Sequence, residues 1–486
     1  MRFLKTLIIV LAIATPAFAK QLNVMFITVD DMNWDTVGAF GSPVKGVTPN
    51  IDRLASEGMR FEHGHVTIAI CQPTRAVWIT GRYPHNSGAL GFNTIKPGIP
   101  TLPEHLIANG FITGILGKTE HVIPSRKNAF DYKRGRNEMI NGRSDKLYAQ
   151  FATEFLEKAA ASGKPFFFMV NAHDPHRPFD NRVPADKRVA KPVETKETKN
   201  KKGTKKKKKK PRQPYPAPSQ IYQPNEVVIP GFVPDLPKIR EEIAQYYSSA
   251  RRADDVVGAV LKVLDKFGLR DSTIVVFKSD HGIPIPFAKT NVWRNSTRTP
   301  WIVRWPDTVK PNSHDTEHMI AGVDLAPTLL DALGVKPMKG MDGRSFLPVL
   351  KGEKQSGRDT VYTHINTIAS KRDYTMRSVQ DKRYGYIWNG WADGKTTFRN
   401  ESQAGLTWKA MVAASANDRK IAARVKHFSM RCREEFYDYE KDPDALVNLI
   451  DDPKHAARIK DLRAKLLEYM KTTNDIALKK FKATVN

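Results

Sequence analysis

Cysteine is rare in this chain: among 486 residues it occurs only as Cys71 and Cys432. Two cysteines exclude a fold held together by several disulfides, and they exclude the cysteine-rich zinc sites. Long apolar runs are missing too, because after the first twenty residues no stretch approaches the roughly 20 residues of a transmembrane helix. The hydrophobic content of 40% indicates instead a globular protein with one large domain and a smaller one.

Acidic residues are outnumbered by basic ones. The chain has 51 aspartates and glutamates against 78 lysines and arginines, which gives a formal net charge of +27. Residues 191–212 alone carry +10, with eleven lysines and one arginine against two glutamates. This Lys-rich insertion has no apolar periodicity, so we expect it to be disordered. It is either a solvated loop or a tether to an anionic polymer or surface, and a nucleic-acid partner is not expected.

The first nineteen residues predict a cleaved signal peptide. Arg2 and Lys5 form a basic start, residues 6–15 are apolar, and residues 17–19 fit a small-x-small cleavage site. The apolar run is too short to span a bilayer, which disfavours an N-terminal anchor. We therefore expect a periplasmic or secreted protein that is not transmembrane.

Apolar runs of strand length alternate with helical patterns through most of the chain. This alternation predicts an α/β fold with a mostly parallel central sheet flanked by helices. After about residue 350 the pattern changes, so we expect a large domain at 20–350 and a smaller α+β subdomain at 351–486. The predicted strands are residues 22–29, 111–116, 165–170, 273–277, 377–379 and 384–388, and the predicted helices are residues 49–56, 103–108, 145–161, 237–267 and 453–471.

Polar side chains follow four of the predicted strands, at the points where the strands end. The carboxyl ends of parallel strands meet at one edge of a sheet, which is where ligands bind in open α/β folds. We therefore expect these side chains to converge on one site. They are Asp30 and Asp31, Lys118 and His121, His173 and His176, and Asp280 and His281.

Asp30, Asp31, Asp280 and His281 form a candidate metal site. Neighbouring carboxylates repel each other unless a cation or an outward geometry relieves them. Three carboxylates and an imidazole suit a hard divalent cation, with Ca²⁺ as the first choice and Mg²⁺ as the alternative. A solvated turn or, for Asp31, a helix cap is the simpler interpretation of the same residues.

Arg75, Lys118, His121, His173 and Lys289 would add positive charge and proton donors around that site. Each of them alone is most often a surface residue or a histidine with satisfied hydrogen bonds. Together with a cation they provide what a compact oxyanion such as sulfate or phosphate requires.

Cys71 opens residues 71–75, Cys-Gln-Pro-Thr-Arg, a segment of the form C-x-P-x-R. A lone cysteine is usually a buried, inert thiol, but a cysteine in such an ordered setting is also a candidate nucleophile. The pentapeptide by itself favours both interpretations equally.

From about residue 22 to its C-terminus, the chain resembles the formylglycine-dependent sulfatases of the alkaline-phosphatase-like superfamily. The C-x-P-x-R segment is the most specific part of the likeness, and the Lys-rich insertion interrupts it. The matching stretches are residues 29–31, residues 48–55 (TPNIDRLA), residues 71–75 with residues 80–81, residues 117–118, and residues 279–282 (SDHG).

The resemblance implies that a formylglycine-generating maturation enzyme, which reads the C-x-P-x-R segment, oxidises Cys71 to an aldehyde. The hydrate of this aldehyde would attack sulfur, and the sulfated hemiacetal would then collapse and release sulfate. The resemblance also assigns residue roles: Asp30, Asp31, Cys71, Asp280 and His281 would bind the metal, and Arg75, Lys118, His121, His173 and Lys289 would hold the sulfate and move protons.

Within the family, the chain resembles the N-sulfoglucosamine sulfohydrolases. The segment that follows the third large-domain strand makes His176 and Arg177 candidates for substrate binding. The stretches that carry this likeness are residues 173–177, 280–291, 343–345 and 376–380.

Three positions depart from that group. His281 stands where the group has asparagine, which is a tolerable change of metal ligand. Lys289 replaces an arginine and would lose a bidentate contact with sulfate. Lys118 and His121 are three residues apart instead of two, which leaves the role of His121 open.

The implied function is a sulfatase that acts on sulfated glycans, with N-sulfoglucosamine as the leading substrate. His173 is then the acid that would protonate a leaving amine. The alternatives are an O-sulfate ester hydrolase on another sulfated polysaccharide, a phosphodiester or phosphonate hydrolase of the same superfamily, and an inactive polyanion-binding protein. Cys432 is left unpaired and without a predicted role.

Overall fold

The computed structural model describes residues 22–122, 129–179 and 214–485. The predicted signal peptide and the Lys-rich insertion lie outside these residues, so both stay predictions. Among the residues that are described, no helix has the length and apolar character that crossing a bilayer requires.

The strands of the described residues form one large sheet and two smaller ones. Predicted strand positions in both parts of the chain coincide with observed strands, although several short edge strands were not predicted. In chain order the strands are β1 (Asn23–Val29), β2 (Met59–Phe61), β3 (Gly64–His65), β4 (Ile112–Leu116), β5 (Tyr132–Arg134), β6 (Phe166–Asn171), β7 (Thr273–Ser279), β8 (Trp301–Arg304), β9 (Ser313–Asp315), β10 (Ile320–Ala321), β11 (Val361–Thr367), β12 (Asp373–Gln380), β13 (Tyr384–Asn389) and β14 (Glu434–Asp438).

The helices cover the sheets and include several short ones that pattern alone did not indicate. In chain order they are α1 (Pro49–Ser56), α2 (Cys71–Thr80), α3 (Pro84–Ser87), α4 (Leu102–Ala108), α5 (Thr119–Val122), α6 (Asp145–Ser162), α7 (Pro237–Lys266), α8 (Arg294–Thr297), α9 (Leu325–Ala332), α10 (Leu347–Leu350), α11 (Leu406–Ala414), α12 (Arg419–Met430), α13 (Ala456–Thr472) and α14 (Leu478–Val485).

The large sheet has the order β5-β4-β6-β1-β7-β8-β2-β9. The neighbours from β5 to β7 are all parallel, and β8 pairs antiparallel with both β7 and β2. The predicted mostly parallel sheet is thus confirmed. In this order β4, β6, β1 and β7 are direct neighbours, so their carboxyl ends lie side by side.

Strand β1 shows why helices must cover both faces of this sheet. Its side chains alternate between the faces. Met25 and Ile27 belong to the apolar core that contains α6 and α7, whereas Val24 and Phe26 belong to the core that contains α2, α4 and α9. A strand that is buried on both faces reads as a continuous apolar run, which is the pattern expected of a parallel sheet.

The C-terminal part contains the antiparallel sheet β11-β12-β13-β14. Helices α13 and α14 pack on it through a separate apolar cluster that includes Trp388, Leu462 and Phe481. The predicted α+β character of this region is confirmed. The division at residue 350, which falls at the end of α10, stays a prediction.

Candidate active site

The candidate site lies at the carboxyl edge of the large sheet, where four neighbouring strands end. Asp30 and Asp31 follow β1, Lys118 follows β4 after one glycine, His173 follows β6, and Asp280 with His281 follows β7. All of these side chains are buried. The topology therefore brings together the polar residues that follow the four predicted strands.

Helix α2 places Cys71 and Arg75 on this edge. Cys71 is the first residue of the helix, and its Sγ lies 3.4 Å from Nε2 of His281. Arg75 lies one turn later on the same helix face. Its guanidinium donates to Oδ1 of Asp30 at 2.5 Å and to Oδ2 of Asp280 at 2.8 Å. The spacing of the C-x-P-x-R segment thus allows one helix end to carry both Cys71 and the arginine that joins the carboxylates of Asp30 and Asp280.

The Cys71 side chain is buried between carboxylates and lysines. Burial and then the Asp280 carboxylate raise the pKa of the Cys71 thiol well above its ordinary value. An unmodified Cys71 would therefore be a neutral thiol at pH 7, unlike the low-pKa thiolates of cysteine nucleophiles.

Four side chains at this edge have the composition of a metal site. Ligand atoms of Asp31, Cys71, Asp280 and His281 lie within 4.8 Å of one another. Oδ1 of Asp31 is buried, accepts no hydrogen bond from the described residues, and lies 3.2 Å from Nε2 of His281. Burial raises the pKa of Asp31 to about 6, although Lys289 and His281 act against it. A divalent cation between these groups would relieve the repulsion between Asp31 and Asp280, so the residues present fit such an ion.

The backbone at Asp31 contributes to this arrangement. Asp31 has a φ of +63°, in the left-handed region that residues other than glycine rarely adopt. Its N–H donates to Oδ1 of Asp280 at 2.8 Å, which ties the ends of β1 and β7 together. The turn directs the Asp31 carboxylate toward His281 instead of continuing the strand.

Asp30 has a different environment from its neighbour, because it lies among cations. Its carboxylate is paired with Lys118 and Arg75, and Oδ2 lies 3.1 Å from Nδ1 of His173. Burial alone would raise the pKa of Asp30, but Lys118 and Arg75 outweigh it and hold the pKa well below the ordinary value. Its predicted role as a metal ligand stays a prediction, since it lies outside the four-residue group that surrounds Cys71.

Lys289 links the two parts of the chain at this site. Its Nζ lies 2.8 Å from Oδ2 of Asp31 and 3.0 Å from Oε2 of Glu401. Glu401 begins a short 3-10 turn in the C-terminal part and also lies 3.6 Å from Nε2 of His176. Asn400 holds the same turn in place by donating from Nδ2 to the Lys289 carbonyl at 3.0 Å. The candidate site is therefore completed by residues far away in sequence.

His173 and His176 stack with their ring centroids 4.7 Å apart. Burial and then Lys118 lower the pKa of His173 well below its ordinary value, so its imidazole is neutral in the free site. Asp30 accepts from Nδ1, which leaves Nε2 of His173 as the atom that faces Arg136, at 3.5 Å from Nη1.

His121 lies on α5, one turn after Lys118, whose carbonyl accepts its N–H. Its ring contacts Phe92 edge-to-face at 5.8 Å. Burial and then Lys118 lower the pKa of His121 to about 3. The three-residue spacing from Lys118 thus puts a neutral imidazole beside the site, and its predicted catalytic role stays a prediction.

Arg177 has a structural partner. Its guanidinium donates to Oε1 of Glu242 on α7 at 2.9 Å and also to the carbonyl of Pro284. These contacts fix the segment after β6 against α7 and against the loop after β7. The predicted substrate contact of Arg177 would have to be made in addition to this pairing.

Glu401 and Arg136 are the site residues that sequence reasoning missed. Neither belongs to a motif or follows a predicted strand, and Glu401 is 112 positions away from Lys289. Only the packing of the C-terminal part against the large sheet reveals that Glu401 contacts Lys289.

Cys432 lies elsewhere, is unpaired, and donates from Sγ to the carbonyl of Glu434 at 3.2 Å.

Comparison with known proteins defines the class of this enzyme. Residues 22–335 match the family model described as Sulfatase. The chain therefore belongs to the sulfatase family, and the protein is a hydrolase. Residues 280–392 also match a second model, described as N-sulphoglucosamine sulphohydrolase, C-terminal.

Particular relatives share nearly the whole chain. The protein is 28% identical to human N-sulphoglucosamine sulphohydrolase, over 94% of this chain and 91% of the relative. It is 25% identical to an ulvan-active sulfatase of Formosa agariphila, over 94% of this chain and 76% of the relative. The crystal structure of a putative sulfatase from Bacteroides fragilis superposes with a TM-score of 0.71 at 20% identity, covering 96% of this chain and 99% of that one. This last match shows a shared fold.

Proposed function

We propose that the enzyme removes sulfate groups from sulfated glycans, with the N-sulfate of glucosamine as its leading substrate. The observation that carries the proposal is the position of Cys71, which joins a four-residue metal-type cluster at a helix end and is surrounded by buried Lys, Arg and His side chains. The C-x-P-x-R segment and the likeness to the human sulfohydrolase support the same reaction.

The proposed cofactors are a divalent cation and an aldehyde derived from Cys71. Asp31, Asp280, His281 and the modified Cys71 would hold the cation, with Asp30 as the fifth predicted ligand. Ca²⁺ is favoured over Mg²⁺ because Ca²⁺ accepts a flexible coordination geometry, whereas Mg²⁺ demands a near-ideal octahedron. The cation would neutralise negative charge on the sulfate oxygens, and the hydrated aldehyde would supply the attacking hydroxyl group. Conversion of Cys71 needs a formylglycine-generating maturation enzyme as a partner.

The chain's own residues would bind the sulfate and handle the proton. Arg75, Lys118 and Lys289 offer buried positive charge to its oxygens, which matters most as charge shifts in the transition state. His173 is oriented by the Asp30 carboxylate through Nδ1, so its Nε2 is the atom that would protonate the leaving amine. The negative charge of a bound sulfate would raise the pKa of His173 and favour this protonated form.

Hydrolysis of an O-sulfate ester is the second candidate, because the chain is also 25% identical to an N-acetylglucosamine-6-O-sulfatase of Bacteroides thetaiotaomicron, over 76% of this chain and 79% of that relative. The decisive experiment is a substrate comparison with protein co-expressed with a formylglycine-generating enzyme. We expect sulfate release from glucosamine N-sulfate at a kcat/KM at least tenfold above that for glucosamine 6-O-sulfate. The reverse order would establish the O-sulfate alternative. Absence of release from every sulfated sugar, with Cys71 shown to be converted, would refute the sulfatase proposal.

Removal of the metal should inactivate the enzyme. We expect a chelator to lower kcat at least about 10²-fold, because the cation offsets charge that the protein alone leaves unbalanced. Added Ca²⁺ should restore the activity, and added Mg²⁺ tests the alternative ion.

Asp31→Asn should weaken metal binding by at least about 100-fold, as measured by titration of Ca²⁺ into the chelated protein, because even the loss of a residue that only supports a ligand costs about 10- to 100-fold. The matched control is Glu241→Gln, which removes an exposed carboxylate on α7 whose ion-pair partner among the described residues is the neighbouring Lys238. Full activity in protein that elemental analysis shows to be metal-free would contradict the assignment.

A further inference from the structure

A pocket of about 570 Å³ lies in the C-terminal part, between β12 and the loop that precedes Glu401. Its lining combines two arginines with hydroxyl groups. The lining residues are Arg372, Asp373, Tyr374, Thr396, Thr397 and Arg399. Among the described residues, neither the Arg372 nor the Arg399 guanidinium forms an ion pair or a hydrogen bond, whereas most arginines near the site are paired.

This pocket is a direct neighbour of the candidate active site. Arg399 precedes Asn400 and Glu401, which contact the carbonyl and the Nζ of Lys289, both at 3.0 Å. Consecutive Cα atoms are about 3.8 Å apart, so the Cα of Arg399 lies within about 8 Å of that of Glu401. Strand β11, which pairs with β12, ends at Thr367, and the N–H of Thr367 donates to the carbonyl of Leu90, two residues before the Phe92 ring that contacts His121.

The pocket is built on a rigid support. The Tyr374 side chain is buried, and its hydroxyl donates to the Thr397 carbonyl at 3.0 Å and accepts from the N–H of Arg399 at 3.2 Å. One buried side chain thus fixes the loop that carries Arg399 against the strand next to Arg372. Because this backbone is fixed before any ligand binds, less ordering entropy opposes binding.

The only carboxylate in the lining forms no ion pair with either arginine among the described residues. Oδ1 of Asp373 accepts from the N–H and the hydroxyl of Thr375, at 2.8 and 2.6 Å. The pocket therefore offers two unpaired guanidinium groups to solvent. Guanidinium groups bind sulfate and carboxylate with two parallel hydrogen bonds, which distinguishes them from lysines as recognition elements.

We propose that this pocket is a subsite for a second anionic group, a sulfate or carboxylate on a sugar next to the one whose sulfate reaches Cys71. The inference rests on the proposed function, because it takes the substrate to be a sulfated glycan. It adds that the enzyme prefers an oligosaccharide with anionic groups on neighbouring sugars over an isolated sulfated sugar. Arg372 and Arg399 would be specificity-determining residues outside the catalytic centre.

The test compares Arg372→Gln, Arg399→Gln and the double variant with the parent enzyme on two substrates. One is glucosamine N-sulfate, and the other is a tetrasaccharide with N-sulfoglucosamine at its end and a second sulfate on the next sugar. For each single variant, the ratio of kcat/KM on the tetrasaccharide to that on the monosaccharide should fall about tenfold, as expected for a charge-assisted contact. A tetrasaccharide with only a carboxylate on the next sugar distinguishes the two anions. Arg419→Gln, at an exposed arginine on α12, is the matched control.

An unchanged ratio in the double variant would overturn the subsite. Binding of the tetrasaccharide to the Cys71→Ala protein, measured by calorimetry, separates this outcome from failure of the proposed reaction. If the enzyme turned over no sulfated sugar, a double variant on the Cys71→Ala background that binds the tetrasaccharide at least tenfold more weakly would still support an anion subsite. Equal binding of the tetrasaccharide by the Cys71→Ala protein and by the double variant on that background would exclude the subsite.

Discussion

Cys71→Ala is expected to abolish sulfate release, with kcat/KM falling at least about 10³-fold, because the variant loses the precursor of the attacking group. The buried Arg75, Lys118 and Lys289 side chains would still bind sulfate, so affinity for the substrate should fall far less than the rate. The measurement is sulfate release by parent and variant, together with the mass of the peptide that contains residue 71, which reports conversion to the aldehyde in the parent.

Cys432→Ala is the matched control, since it removes the other cysteine of the chain. Cys432 is half-buried near β14 and contacts Glu434 and Asn448, none of which belongs to the candidate site. We expect its kcat/KM to stay within twofold of the parent value. A Cys71→Ala protein with full activity would disprove the aldehyde mechanism, whatever the mass of the parent peptide.

Arg377→Met is expected to destabilise the protein by about 3–5 kcal/mol, the cost of leaving a buried charge without its partner. Arg377 and Asp475 are both fully buried and form two parallel hydrogen bonds, of 2.6 and 2.7 Å. The pair joins β12 to the turn between α13 and α14. Arg377 also donates to the carbonyls of Ile365 and Met376, so its loss leaves several buried acceptors without a donor.

The free energy of unfolding, from urea titrations of the full chain, measures this effect. Lys382→Met is the control, because it breaks an exposed pair with Glu317 that should contribute no more than about 1 kcal/mol. The double variant Arg377→Met/Asp475→Leu should recover part of the loss, since it removes both charges. A loss in Arg377→Met as small as that of the control would show that the pair does not stabilise the fold.

The same pair predicts acid sensitivity. Burial alone would raise the pKa of Asp475, but Arg377 outweighs it and holds the pKa below the ordinary value. The folded state therefore binds this proton less readily than the unfolded state does. The contribution of the pair is complete above the ordinary pKa of an aspartate, near 4, and is lost as the pH falls from there through the lowered pKa of the folded state.

The sequence predicted where the candidate site lies better than it predicted which side chains pair with each other inside the site. Strand ends could be read from apolar runs, and a parallel sheet brings its carboxyl ends to one edge, so the meeting of Asp30, His173 and Asp280 followed from topology. The pattern could not separate Asp30 from Asp31, because they are neighbours in sequence. The positive φ of Asp31 directs its carboxylate toward His281, whereas the Asp30 carboxylate lies between Arg75 and Lys118. A backbone dihedral angle of this kind cannot be read from the sequence.

Contacts between segments that are far apart in the chain could not be predicted from the sequence either. The partner of Arg177 is Glu242 on α7, and the partner of Lys289 is Glu401 in the C-terminal part. Each pairing depends on how two segments that are far apart in sequence pack against each other. Helix α2 was also missed, although its first residue is the most informative one in the chain, because its ten residues are buried all round and lack the one-sided apolar pattern of a surface helix.

The contact between Lys289 and the turn at Glu401 has an evolutionary consequence. The groups proposed to perform the reaction come from the sheet edge and α2. The two arginines proposed to select the substrate come from the turn between β11 and β12 and from the loop before Glu401, and neither segment contributes a proposed metal ligand. Substitutions at the exposed Arg372 and Arg399 can accumulate without damage to the reaction itself, because both side chains lie outside the catalytic centre. A duplicated gene could therefore acquire a new glycan preference through these two positions, while Arg377, Asn400 and Glu401 in the same segment stay constrained by the fold and by the contact with Lys289.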